Sequence, residues 1–120
     1  MDQFISEEWE NLSRLAVAKS SWGSNEYLPP KRWWGKGTDG KMMEIDMLSE
    51  SRDGKSLLIG ECKWSDITNT SHLLSTLEDK ARNLPMYKDQ KLEYVLAGKS
   101  YIGNIDCKWI GISEVLNYVR

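Results

Sequence analysis

Apolar residues recur along the chain with two different periods, and the switches between them divide it into a few elements. Ile5, Trp9, Leu12 and Ala16 recur at helical spacing and predict a helix over residues 2–19. Residues 21–31 carry Gly23, Asn25, Pro29 and Pro30 and read as loop. Lys31 to Trp34 reads as a short strand, and Gly35 to Gly40 as a turn-rich connection. Two stretches of period-2 alternation follow, at about 41–49 and 55–64, and read as strands. The polar segment between them contains Asp53-Gly54, a strong hairpin signal. Asn69 or Ser71 can cap a helix running to about Leu84 and stopped by Pro85. Lys91 to Ala97 alternates into a further strand, Lys108 to Ile112 into another, and Ser113 caps a closing helix to Tyr118. This is an α/β order that begins α-β-β-β-α-β and continues with a strand and a short helix.

The two strands joined by the Asp-Gly turn also carry the candidate chemistry. In Met43-Glu44-Ile45-Asp46-Met47, alternation puts Glu44 and Asp46 on one face and the apolar residues on the other. In Gly60-Glu61-Cys62-Lys63-Trp64, Glu61 and Lys63 share a face while Cys62 and Trp64 point away. Pairing across the turn is expected to gather three carboxylates and one lysine on one face of the sheet. Such a cluster either forms an ion-pair network on an inert sheet or holds a cation. Mg²⁺ takes octahedral oxygen ligands and needs only one or two carboxylates beside water. Asp46 and Glu61 are the expected metal ligands, and the Cys62 carbonyl, at the same strand level, is a further candidate oxygen. An ion there polarises a scissile phosphate and acidifies a water. Lysine is a cation at neutral pH, so Lys63 is expected to orient that water or stabilise charge on the phosphate, not to act as a base.

Asp46, a spacer and Glu61-Cys62-Lys63 resemble the signature of the PD-(D/E)XK nuclease superfamily, with Ile45 where the label has proline. A closer similarity is to a domain of unknown function at the C-terminus of archaeal-type AAA-family ATPases. It rests on Arg32-Trp33-Trp34-Gly35, Glu44-Ile45-Asp46 and Gly60-Glu61-Cys62-Lys63-Trp64, in that order. The likeness covers residues 32–64, extends upstream to Trp9-Glu10, and beyond residue 64 lies only in the order of elements. It implies an α/β, restriction-endonuclease-like α-β-β-β-α-β core with a mixed central sheet flanked by helices, and a nuclease dependent on Mg²⁺ or Mn²⁺, with Glu10, Glu44, Asp46, Glu61 and Lys63 as catalytic residues. On the first helix the resemblance picks Glu10, whereas the helical wheel picks Glu8, nearer the apolar stripe. DNA is the expected substrate ahead of RNA, and a homodimer is a further expectation, since many nucleases of this kind cut both strands as dimers. The resemblance also implies a place behind a P-loop ATPase domain, making the chain the C-terminal part of a longer protein. That context leaves open a domain that docks onto the ATPase or another protein and cuts nothing.

Composition narrows this picture without deciding it. With 120 residues, 40% apolar and 28% charged, the chain fits one domain over residues 1–120. It has no signal-peptide pattern and no apolar run of membrane-spanning length, so a cytoplasmic domain without membrane contact is expected. Cys62 and Cys107 have neither metal-ligand spacing nor a disulfide framework and read as buried thiols. A net charge of −2 is unusual for a nucleic-acid binder, whose affinity rests on cations. Local basic groups exist, however: Lys31, Arg32, Lys36 and Lys41, and then Lys80, Arg82, Lys88 and Lys91. Lys31, Arg32, Trp34 and Lys36 are the expected nucleic-acid contacts. Trp9 and Trp64 fall at core-facing phases, while Trp33 and Trp34 must face opposite sides of their strand. No metal role is expected for His72. Gly54-Lys55-Ser56 and Gly98-Lys99-Ser100 lack the earlier glycine of a P-loop, so no nucleotide hydrolysis is expected of this chain.

Overall fold

A computed structural model describes residues 3–19, 26–101, 107–111 and Val115. Helix α1 (Gln3–Lys19) precedes three strands, β1 (Lys31–Lys36), β2 (Met42–Glu50) and β3 (Ser56–Cys62). A two-residue strand β4 (Asp66–Ile67) leads to helix α2 (Thr70–Arg82). The chain then forms β5 (Lys91–Ala97), the two-residue β6 (Ser100–Tyr101) and β7 (Lys108–Ile110). The main sheet has the order β1-β2-β3-β5-β7. Its first three strands are antiparallel, while β3, β5 and β7 run parallel. This is a mixed α/β fold, and α2 supplies the crossover that the parallel β3–β5 pair requires.

Local chemistry explains the elements. The Asp53-Gly54 turn closes with Ser51 and Ser56 bonded across it, and Asp53 Oδ1 accepts from Ser51 Oγ at 2.6 Å and from the Lys55 N–H at 3.0 Å. Gly54 takes a φ of +73°, in the left-handed region that glycine adopts without a Cβ penalty. Asn69, rather than Ser71, caps α2, its Oδ1 accepting from the His72 N–H at 3.1 Å. Lys80 and Arg82 in the last turn complement the negative end of the helix dipole.

Apolar residues fill both sides of the sheet. Trp9, Ala16 and Val17 of α1 pack with Met47, Leu58, Cys62 and Val95 on one side. Leu77, Ala81 and Leu84 pack with Ile45, Leu57, Ile59 and Leu96 on the other. Trp9 and Trp64 meet with ring centroids 5.1 Å apart, as their phases predict.

Several boundaries differ from the sequence reading. β1 runs on through Gly35 and Lys36 because both pair with β2, so the connection begins at Gly37. β3 stops at Cys62, although the Lys63 N–H still bonds the Ala97 carbonyl at 2.8 Å. α2 ends at Arg82, capped by Asn83, and β7 ends at Ile110. The parallel pair β4–β6 was not expected. The closing helix over 113–118 lies outside the described residues apart from Val115, which is helical and buried. Among the described residues, no helix is long and apolar enough to cross a membrane.

Candidate functional site

The sheet forks where the acids lie. The β2–β3 ladder runs from the turn as far as Met47 opposite Gly60 and stops there. Beyond that point β2 stays paired to β1, while Glu61 and Cys62 of β3 continue along β5. Asp46 and Glu61, the next residues of the two strands, therefore stand on either side of the fork. Asp46 Oδ2 accepts a hydrogen bond from the Cys62 N–H at 2.9 Å, so its carboxylate occupies the place of a missing ladder bond. In an extended strand the N–H and C=O of one residue point to the same side, which turns the Cys62 carbonyl toward the fork as well.

A β-bulge aims Asp46 into this position. The β1–β2 register shifts between Lys31 opposite Leu48 and Trp33 opposite Ile45, leaving Arg32 opposite both Asp46 and Met47. Ile45 accordingly packs on the α2 side of the sheet and Met47 on the α1 side, although they are two residues apart. The expectation that Glu44, Asp46, Glu61 and Lys63 share one face is therefore corrected. Glu61 alternates with Leu57 and Ile59 and lies on the α2 side, Glu44 lies on the α1 side, and Asp46 sits between them in the fork. The bulge carbonyl of Asp46 is satisfied by Arg14 Nη1 of α1 at 3.0 Å.

Charged groups converge on the fork from both helices. Glu10 of α1 lies 3.8 Å from Arg14, and burial followed by the nearby Asp46 charge raises its pKa. Glu8 is exposed, so Glu10 is the helix glutamate that joins the cluster. Glu61 has a side chain only 16% exposed and lies 3.5 Å from Lys63 Nζ. Its pKa is also raised, by burial first and the Asp46 charge second, against the opposing pull of Lys80 and Lys63. Lys80 reaches across from α2 and donates to the Glu44 carbonyl at 2.8 Å. The Glu44 carboxylate turns outward to Arg32 at 2.9 Å. The Cys62 thiol is buried in the α1-side core, and burial, Asp46 and Glu10 raise its pKa, so it stays protonated and contributes packing.

The sequence reading does not single out Arg14 and names Lys80 only as one of a basic group, not as part of the acid cluster. Arg14 follows Glu10 by one helical turn, and Lys80 follows Leu77 by three residues beside the buried stripe of α2; those spacings are the available signal. The expected nucleic-acid contacts Lys31, Arg32, Trp34 and Lys36 are all exposed along β1. Among the described residues no three His, Cys, Asp or Glu side chains form a ready-made metal cage. The donor set nevertheless fits Mg²⁺, which usually takes one or two carboxylates and leaves the rest of its shell to water and phosphate. Glu61, a carboxylate whose proton affinity is raised by burial and by the neighbouring Asp46 charge, is a group that a divalent cation would relieve.

A family profile, DUF234, described as archaea bacterial proteins of unknown function, matches residues 1–79. The chain belongs to this family. The matched span of the DUF234 domain holds Glu10, Asp46, Glu61 and Lys63 and ends one residue before Lys80. No curated protein and no solved structure matches the chain.

The raised pKa of Glu61 has a stability consequence. An acid whose folded pKa lies above its unfolded value stabilises the fold below the unfolded pKa, and that contribution is lost as pH rises through the folded one. In metal-free protein, Glu61→Gln is therefore expected to raise the Tm at pH 7 and to flatten the loss of stability above pH 4.5. Scanning fluorimetry across pH in metal-free buffer checks this for the wild type and the variant.

Proposed function

We propose that this DUF234 domain is a metal-dependent phosphodiester hydrolase of the PD-(D/E)XK type acting on DNA. The observation that carries the reading is the fork, where Asp46 and Glu61 meet beside Lys63. Asp46 and Glu61, with the Cys62 carbonyl, would hold Mg²⁺ or Mn²⁺; bound there, the ion supplies Lewis acidity toward the scissile phosphate. Asp46 is held in place through the Cys62 N–H, and Arg14 fixes the bulge that carries it. Lys63 supplies a positive charge at the rim, close enough to Glu61 to share its charge and exposed enough to reach a phosphate oxygen. Glu10 sits on the α1 side of Asp46 with its proton affinity raised, which suits it to take or return a proton. On the resemblance such a domain would follow a P-loop ATPase domain, its composition suits a cytoplasmic protein, and a dimer would let two copies cut both strands.

A second reading draws on the exposure of Trp34 and Met42 on the outer face of β1 and β2. In it, the domain cuts nothing and docks onto an ATPase domain or another protein. Asp46→Ala separates the two. Under the hydrolase reading it abolishes cleavage of duplex, branched and single-stranded DNA in Mg²⁺ and Mn²⁺. Under the docking reading the wild type is as inactive as the variant, and partner binding is untouched.

A further inference from the structure

The outer face of the β1–β2 pair carries more than the hydrolase reading uses. Arg32, Trp34 and Lys36 alternate onto one face of β1, and Glu44 and Met42 lie opposite Trp34 and Lys36 on β2. Tryptophan is among the residues most buried on average, yet Trp34 is 64% exposed, as is Met42. Trp33, by contrast, packs into the α2-side core, so the two adjacent indoles have separate roles. Arg32 lies over the Trp34 ring, 5.7 Å from its centre.

Charge decides what this face suits. The segment that carries this face, residues 31–41, contains four basic residues and one acidic residue, a net charge of +3 in a chain whose remainder carries −5, and of the four Arg32 and Lys36 alternate onto the face itself, with Glu44 across from Trp34. An apolar patch for a protein would not need its cations concentrated this way, whereas a polyanion would. The Arg32–Glu44 pair does not block the patch, because both side chains are about half exposed or more and such pairs contribute little. A flat, open indole flanked by cations suits a nucleobase that has a free face, and the bases of a duplex are already stacked on one another. The platform also adjoins the fork: Trp34 is the cross-strand partner of Glu44, and Arg32 lies opposite Asp46 itself.

We infer that the β1–β2 face binds an unpaired DNA strand, with a base stacked on Trp34 and phosphates on Arg32 and Lys36, and leads that strand to Asp46. This rests on the hydrolase reading for the nature of the substrate, but its test needs neither metal nor cleavage. The full chain is titrated in EDTA at low salt against labelled oligo(dT), a duplex of the same length and oligo(U), with binding read by fluorescence anisotropy. The single DNA strand should bind more tightly than the duplex. Trp34→Ala should weaken it by roughly 5- to 100-fold, the range of one base-stacking contact, and Trp34→Phe should restore most of the loss. Trp34 is solvent-facing, so both variants are expected to fold, and circular dichroism checks that. Duplex binding as tight as single-strand binding, tighter binding of the RNA, or indifference to Trp34→Ala would each overturn the inference. The same holds if Trp34→Ala disrupts only a protein contact. Intact single-strand binding by a protein that takes up no Mg²⁺ would instead sink the hydrolase reading and leave this one standing.

Discussion

Replacing Lys63 with methionine is expected to slow DNA cleavage by roughly 10²- to 10³-fold, the usual loss when one preorganised charge-stabilising group is removed. The geometry limits what else the substitution can do. Lys63 follows the last residue of β3, and its main chain remains anchored through the 2.8 Å bond to Ala97, so the backbone at the fork should not move. Its side chain is nearly half exposed, and its 3.5 Å pair with Glu61 contributes little to folding. Methionine keeps the apolar stem and removes the charge. Single-turnover cleavage should therefore fall while the Tm and the Mg²⁺ affinity change little. Arginine at this position should recover only part of the rate, because its planar fork places charge differently from a compact ammonium. A Lys63→Met protein that cleaves at the wild-type rate would remove Lys63 from the mechanism.

The largest effect on the fold is expected at Gly60. A methyl group there would lie 2.5 Å from Val95 Cγ1, 2.7 Å from Met47 Cε and 2.9 Å from the Val95 carbonyl oxygen. Met47 is flexible and can move aside, but the Val95 oxygen belongs to β5, an interior strand paired on both sides, and cannot. Gly60 is also the residue at which the β2–β3 ladder ends, so strain there falls on the fork. Gly60→Ala should cost about 2–3 kcal/mol and lower the Tm by on the order of 10 °C, in the range of core overpacking. Adding Val95→Ala should recover part of this by clearing the Cγ1 contact, which thermal melts of the single and double variants measure. A melt within a degree of the wild type would mean that the sheet there is looser than its packing indicates.

The sequence made most elements readable because each has its own marker. Lys91–Ala97 is placed to the residue by its alternation, the Asp53-Gly54 signal marks the hairpin, and the start of α2 is one of the two caps that the sequence offers, Asn69 and not Ser71. The pair β4–β6 escaped because strands of two residues contain no period to detect. The bulge escaped for a different reason. Met43, Ile45 and Met47 alternate without interruption in the sequence, yet the sheet has an apolar core on each side at this point, so Ile45 and Met47 each find a core on opposite sides. Period-2 alternation cannot reveal a switch of face when both faces are apolar, and the shared acidic face was inferred from it. What survived was the proximity of Asp46, Glu61 and Lys63, since that follows from the turn and not from the faces. Glu10 could be chosen over Glu8 from the resemblance, while the helical wheel pointed to the exposed neighbour. Arg14 and Lys80 act through main-chain carbonyls, which residue patterns do not display.

Calorimetric titration of Mg²⁺ and of Mn²⁺ into the wild type and Asp46→Ala tests the fork as a metal site most directly. Saturable binding in the wild type, near one ion per chain and absent from a folded Asp46→Ala protein, is the predicted result. Equal heats in both proteins, or no binding by the wild type up to millimolar metal with a DNA oligonucleotide present, would contradict it.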